Sequence, residues 1–163
     1  MSQPSAARHP LLNEVEALLA SEGATAAGLG RVLDRVLTHF GGAVGTIHFL
    51  DPGSQMLLLR AQRGIPDQLA GKVGRIPVGK GMAGLAAQRR EPVQVCNLQT
   101  DDSGVARPAA RETRMEGSIA VPMFQDGAVR GVLGIAKPVV HEFSPAETAL
   151  LQEVANTLGK YLA

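Results

Sequence analysis

The sequence predicts an α+β fold, in which an antiparallel sheet carries helices on one face. Apolar residues alternate on both sides of Asp126-Gly127 within residues 118–138, and this pattern is a strong hairpin signal. Amphipathic helical patterns stand before the predicted strands and after them. A sheet with terminal helices on one side accounts for both observations.

The totals restrict the function classes. The 163 residues suit one domain, and 45% hydrophobic with 19% charged residues is typical of a soluble globular protein. A net charge of +1 and 3% aromatic residues give no reason to expect a nucleic-acid or membrane partner. With no apolar run of 18 residues, we expect a cytoplasmic protein of bacterial type.

Cysteine and histidine usage predicts no metal and no cofactor. A single cysteine, Cys96, excludes an intrachain disulfide and a cysteine-based metal cluster, and we expect this thiol to be buried and inert. The four histidines have no metal-ligand spacing.

The N-terminal third predicts two helices. Residues 1–10 form a polar, proline-containing stretch that we expect to be a disordered tail, and 11–163 are expected to form a single domain that includes a helix within 11–22. The stronger helix covers about 26–40, where apolar residues recur at helical spacing until Gly41-Gly42.

Two strands follow at 44–50 and 56–61. Alternation in the first strand places Ile47 and Phe49 on one face and Thr46 and His48 on the other. Residues 63–74 are predicted to be a loop or a short helical turn.

A glycine-rich segment comes next. Residues 76–78 lead into Gly79, Gly81 and Gly84 and a helix that ends near Arg90, before a short strand at 92–95. The glycines match G-x-G-x-x-G, but the parallel strand–helix–strand unit of a dinucleotide site is missing from the pattern, so we interpret the match as incidental. Weak anion affinity at the start of that helix remains open.

Residues 97–117 are predicted to be a polar loop with a helix over about 108–115. Arg107, Arg111 and Arg114 would lie on one side of it. They could form a clamp for an anionic ligand or a solvated face, and the sequence leaves both readings open.

The hairpin register follows from the apolar pattern. A three-residue turn, 125–127 with Gly127 left-handed, pairs odd positions with odd positions. One face then carries a continuous apolar layer: Ile119, Val121, Met123, Val129, Leu133 and Ile135. The opposite face carries mostly small side chains: Ser118, Ala120, Pro122, Val132, Gly134 and Ala136. Such a face allows close packing or leaves room for a ligand.

The last helix has a specific start signal. Ser144-Pro145-Ala146-Glu147 is a capping box with proline at the first helical position. Its apolar stripe predicts burial of Leu150, Leu151, Val154, Ala155, Leu158 and Leu162.

Several of these segments, taken together and in order, resemble a GAF domain from about Ala24 to the C-terminus. The resemblance is carried by 76–84 (IPVGKGMAG), 91–93 (EPV), 117–122 (GSIAVP), 130–135 (RGVLGI) and 143–144 (FS). It implies a twisted antiparallel sheet of about six strands with terminal helices on one face. It also implies a pocket on the other face, with the 97–117 segment as its lid.

Within that family the chain resembles the free methionine-R-sulfoxide reductases in length and in its glycine loop. That subfamily has one cysteine in the glycine run, another in the lid, and acidic residues on the hairpin. Here Ala83 occupies the glycine-run position and 105–110 contains no cysteine. Ser118, Gly134 and Ala136 stand at the acidic positions. We therefore expect no enzyme and no catalytic residues.

The expected function is a non-enzymatic, small-molecule-binding regulatory or sensor module of the GAF type. The predicted ligand-binding residues share the small-residue face: Thr46, His48, Ser118, Ala120, Gly134 and Ala136. Met82 or Val105 filling that space is the alternative, which would leave a protein-interaction module with a closed pocket. The reductase is a disfavoured alternative.

Signalling is expected through an effector protein or a homodimer. GAF domains commonly pair through their terminal helices, and a short first helix is marginal alone. The resemblance therefore predicts a homodimer that uses Leu11, Val15, Leu18 and the outer side of the last helix. Packing of that helix onto its own subunit is the alternative.

Overall fold

The computed structural model describes residues 8–162. Six helices and six strands follow the order α1 (Pro10–Glu22), α2 (Ala26–Phe40), β1 (Val44–Asp51), β2 (Met56–Arg63), α3 (Ala70–Val73), β3 (Arg75–Pro77), α4 (Gly81–Arg89), β4 (Val93–Val95), α5 (Pro108–Glu112), β5 (Ser118–Gln125), β6 (Ala128–Ala136) and α6 (Pro145–Lys160). A 3₁₀ turn, Asp67–Leu69, precedes α3. None of the described helices is long and apolar enough to cross a membrane.

The strands form one six-stranded sheet in the order β3-β2-β1-β6-β5-β4, and the described pairings are all antiparallel. This confirms the predicted α+β architecture. The described strands thus supply no parallel crossover for a dinucleotide fingerprint. The glycines instead serve a tight helix entry, because the Gly79 amide donates to the Gly84 carbonyl at 2.8 Å.

The terminal helices α1, α2 and α6 lie on one face of the sheet. Local signals start and stop them as predicted: the Thr25 hydroxyl caps α2, left-handed Gly41 ends it, and Ser144 and Glu147 form the capping box of α6. Ile47 of β1 and Ile119 of β5 are buried against these helices. The largest core of the molecule lies here. Leu150 and Leu162 are only partly buried at its edge.

Helix α1 packs on its own chain. Leu11 and Val15 are buried with residues of α2 and α6 in that same core. The alternative of a helix folded back on its own subunit is therefore correct for these two side chains, and they are unavailable to a second copy. The predicted tail over 1–10 lies mostly outside the described residues, although Pro10 already belongs to α1.

The hairpin confirms the predicted pairing of odd with odd positions, but neither the three-residue turn nor the pairing of Ile119 with Leu133 that such a turn would give. Ile119 pairs with Ile135 and Val121 with Leu133, odd with odd. The turn has only two residues, Asp126 and Gly127, with φ of 50° and 78°, which matches a type I′ turn.

The extra residue that corrects the register sits in β6. Phe124 pairs with Val129 while Met123 pairs with Gly131, so Arg130 is the bulged residue. The bulge moves Val129 off the helix-covered face, and it packs against the apolar cluster on the opposite side. The prediction that Val129 shares the layer of Ile119 is therefore wrong.

The opposite face of the sheet carries α4 and the 97–117 segment. Leu57, Ala120 and Val132 of the sheet are buried there with Met82 and Leu98. Helix α5 ends at Glu112 rather than near Met115, and Thr113 is its C-cap residue.

Candidate functional site

A cavity of about 140 Å³ lies on the face of the sheet opposite the terminal helices. Its floor comes from three neighbouring strands, because the register aligns Thr46 of β1, Gly134 of β6 and Ala120 of β5 in one row. Ser118 and Ala136 form part of the next row. These five predicted site residues line the cavity.

Gly134 keeps the floor low. A Cβ there would lie 3.1 Å from the Thr46 hydroxyl oxygen and 3.8 Å from the Ile119 carbonyl oxygen, with no other heavy atom within 4 Å beyond its chain neighbours. A large side chain at 134 would therefore extend into the cavity. The small residues create volume rather than close packing of another element.

The roof comes from α3, the start of α4 and the 97–117 lid. Leu98, Arg107, Ala110 and Thr113 of the lid line the cavity, as do Lys72 and Val73 of α3. The two ends of the lid are joined to each other, because the Leu98 amide donates to the Glu116 carbonyl at 2.8 Å. The lid is attached to the end of β6, where the Glu116 amide donates to the Lys137 carbonyl at 2.8 Å. The predicted position of the lid is confirmed.

Helix α3 and the lid are also joined by an ion pair. Lys72 Nζ lies 3.3 Å from a Glu112 carboxylate oxygen, and at least half of each side chain is accessible to solvent. Such an exposed pair contributes little to stability, on the order of 1 kcal/mol or less. Its structural consequence is that the charge of Lys72 already has a partner.

His48 lies behind the cavity rather than in its lining. Its ring is 1% exposed, and Nε2 is 2.7 Å from the carbonyl oxygen of Val73. Nδ1 has no hydrogen-bond partner among residues 8–162. Burial lowers the pKa of His48, and the hydrogen bond to Val73 opposes that effect. His48 thus faces away from the terminal helices, as predicted, but reaches the site only through Val73.

Neither side chain expected to plug the space does so. Met82 forms part of the wall, and Val105 packs against the neighbouring apolar cluster outside the lining. Neither Met82 nor Val105 therefore fills the cavity in this structure.

The arginines of the lid do not form a clamp. Arg107 lines the cavity, whereas the Arg111 guanidinium donates to the Asp101 carbonyl. Arg114 follows the end of α5 with φ of 64°, so helical spacing no longer aligns it with the other two. The three arginines therefore do not share one side of the lid, and of the three only Arg107 lines the cavity.

Cys96 is exposed at the end of β4, so the prediction of a buried thiol is wrong. Val93 and Val95 point into the core, and alternation turns Gln94 and Cys96 outward. Cys96 is not among the lining residues. Residues 8–162 contain no group of three or more side chains suited to hold a metal ion.

Sequence reasoning missed most of the roof. Ile65, Lys72, Val73, Lys80 and Thr113 line the cavity and were not predicted. They come from loops and from α3, which has only four residues, and such short segments have no periodic pattern that indicates direction. Only the GAF resemblance pointed to a lid at all.

Comparisons with known proteins agree with this architecture. A GAF domain family model matches residues 28–163. Protein YtsP of Bacillus subtilis is 32% identical over 89 residues, an alignment that covers 55% of this chain and 52% of YtsP. The match therefore spans about half the length of that curated relative.

Solved structures match over most of the chain. The GAF domain of an Acinetobacter phosphoenolpyruvate-protein phosphotransferase has a TM-score of 0.78 at 23% identity, covering 93% of this chain and 90% of that one. The free methionine-R-sulfoxide reductase from Neisseria meningitidis, in complex with its substrate, has a TM-score of 0.77 at 24% identity, covering 99% and 95%. Identities this low show the shared fold alone. Together with the family model, they establish that the chain belongs to the GAF domain family.

Proposed function

We propose that this protein is a non-enzymatic regulatory module that binds a small molecule and signals through a partner protein or its own dimer. The cavity carries the proposal. Its floor is built from small side chains across three strands. Its roof is formed by α3, α4 and the lid, so a bound ligand would contact all three segments. Enclosed, mostly apolar cavities with a few polar groups are the usual form of ligand sites. A cytoplasmic location remains part of the proposal.

A thermal-shift screen with metabolites tests binding. A ligand at 100 times its Kd raises the free energy of unfolding by about 2.7 kcal/mol. Gly134→Leu fills the cavity and should abolish the stabilisation while the variant stays folded. Gly53→Leu is the matched control, since a Cβ at Gly53 lies 3.8 Å from an Asp51 carboxylate oxygen and meets no closer atom.

The screen also separates the proposal from a module that works only by protein interaction. If no metabolite stabilises the wild type and Gly134→Leu raises the melting temperature simply by filling space, the cavity is not a ligand site.

A reductase role is the second candidate, favoured by the structural likeness to free methionine-R-sulfoxide reductases. A thiolate that takes the oxygen of a sulfoxide becomes a sulfenic acid, and a second thiol must condense with it, releasing water, to give the disulfide that a thioredoxin-type reductant reduces. The single cysteine of this chain is exposed and outside the cavity lining. We expect no turnover of free methionine sulfoxide with a thioredoxin-type reductant. Turnover that disappears in Cys96→Ser would establish the reductase instead.

A homodimer through the terminal helices is the proposed alternative to an effector protein. Leu11 and Val15 are buried within one chain, so the contact would use the outer surfaces of α1 and α6, where Leu18 is half-buried. Light scattering at tens of micromolar measures the state directly. A monomer at that concentration would leave an effector protein as the signalling route.

A further inference from the structure

The cavity is sized for a compact apolar group. Its volume of about 140 Å³ is close to that of an engineered apolar cavity of about 150 Å³ that binds benzene. Its lining is dominated by aliphatic and small side chains, such as Ile65, Val73, Ile76 and Leu98. An enclosed group of about six carbon atoms fits such a space.

The hydroxyl groups of the lining offer limited recognition. Ser118 Oγ donates to the Ile135 carbonyl at 3.4 Å, and Thr113 Oγ1 donates to the Ala110 carbonyl at 2.6 Å. With their protons directed to the backbone, these hydroxyls keep only acceptor capacity. The third lining hydroxyl, that of Thr46, makes no hydrogen bond within residues 8–162 and is free to donate, and the other side-chain donors of the lining are cationic.

The charged side chains of the lining all carry the same sign. They are Lys72, Lys80 and Arg107, and no lining residue is an aspartate or a glutamate. Lys72 is paired with Glu112. Within residues 8–162, Lys80 and Arg107 have no ion-pair partner.

Contact with α4 places Arg107 at the mouth of the cavity. A Cβ added to Gly81 would lie 2.8 Å from Arg107 Cγ and 2.9 Å from Cδ, so the aliphatic stem of the arginine lies directly over this glycine. Lys80 precedes Gly81 and is the N-cap residue of α4, which has no side-chain cap. The stem of Arg107, the backbone of Lys80 and the uncapped start of α4 therefore lie on the same side of the cavity.

We propose that the ligand is a small carboxylate, with an apolar body of about six carbons in the cavity and its carboxylate on Arg107 and Lys80. A carboxylate gains an attractive interaction with both cations, a neutral ligand gains none, and an amine would be repelled by them. Arginine also offers the planar donor geometry that suits a carboxylate. This inference rests on the proposed function, because it names the ligand class of the same cavity.

Matched pairs of carboxylates and amides test the charge separately from the shape. Benzoate and benzamide form one pair, and 4-methylpentanoate and 4-methylpentanamide form the other. In calorimetric or NMR titrations, we expect each carboxylate to bind at least about tenfold more tightly than its amide, the lower end for a charge-assisted hydrogen bond. Added salt should weaken only the carboxylates.

Two exposed arginines of the lid serve as variant and control. Arg107→Gln should weaken binding of benzoate about tenfold and leave benzamide nearly unchanged. Arg111→Gln should affect neither, since Arg111 donates to the Asp101 carbonyl outside the cavity lining. Both variants are checked for unchanged circular dichroism and melting temperature.

The outcomes distinguish the two proposals. Equal binding of carboxylate and amide, or benzoate binding that is unaffected by Arg107→Gln, overturns the carboxylate assignment while the cavity remains a ligand site. If none of the four compounds binds and no metabolite in the thermal-shift screen stabilises the protein, both the carboxylate assignment and the proposed function are wrong. If none of the four compounds binds but a metabolite does stabilise the protein, only the carboxylate assignment is wrong.

Discussion

His48 Nε2 lies 2.7 Å from the carbonyl oxygen of Val73, a residue 25 positions later in the chain. The contact joins the central strand β1 to α3, whose Lys72 and Val73 form part of the roof of the cavity. A carbonyl only accepts, so Nε2 carries the proton, and the neutral ring has a bare Nδ1. His48 is thus a positioning residue for α3 and so for the roof of the cavity.

The burial of His48 predicts a pH dependence of stability. Its pKa is lowered by burial, so in the window below the ordinary histidine value of about 6.5 the unfolded chain binds more protons than the folded one. The stabilising contribution is complete above about pH 6.5 and is lost as the pH falls toward the folded pKa. We expect urea-melt stability to decrease between pH 7.5 and 5.5, by at most about 1.4 kcal/mol per pH unit.

Two variants test whether His48 causes this pH dependence of the free energy of unfolding. His48→Gln keeps a donor for Val73 but cannot titrate, so its stability should vary less over this range. His39→Gln, at an exposed position in the last turn of α2, should keep the wild-type decrease. Identical slopes for wild type and His48→Gln would show that His48 does not control this dependence.

At position 159, helix propensity favours alanine whereas packing favours the glycine that is present. It lies in α6, where alanine is intrinsically better by about 1 kcal/mol. A Cβ at 159 would, however, lie 3.0 Å from the Phe124 carbonyl carbon and closer still to its oxygen. Because the obstacle is backbone, we expect Gly159→Ala to destabilise by about 1–3 kcal/mol, as overpacked cores do.

Gly71→Ala is the control for that experiment. Gly71 lies in α3, and a Cβ there meets nothing within 4 Å, so alanine should be neutral or stabilise by up to about 1 kcal/mol. Chemical denaturation measures both variants. Equal stabilisation by the two alanines would show that α6 is free to move away from β5.

Leu19 distinguishes a helix packed on its own chain from a helix that needs a second copy. Its side chain is 1% exposed within one chain, so Leu19→Ala should cost about 2–5 kcal/mol. This loss should not depend on protein concentration, because Leu19 is already buried within its own chain. Leu18→Ala, at a half-buried position one residue away, should cost less. A melting temperature of Leu19→Ala that rises with concentration would place this helix in a dimer interface.

Local patterns in the sequence determined the helices, the strands and the faces of the hairpin. Helix α2 begins and ends where its cap and glycine signals indicate, because those interactions join residues a few positions apart. The pairing of odd with odd positions in the hairpin could also be predicted, since a slip of one residue would expose the whole apolar layer. Five of the six predicted floor residues share a cavity for the same reason.

Tertiary structure alone decided the roof, the bulge and the direction of single side chains in irregular segments. Arg107 lies over Gly81, and His48 bonds to Val73, through contacts between segments far apart in the chain. Arg130 becomes the bulged residue in a strand where a Cβ on Gly131 would meet the His48 carbonyl. Such contacts depend on how closely segments that are far apart in the sequence approach each other in space. Periodicity along the chain gives no information about that approach.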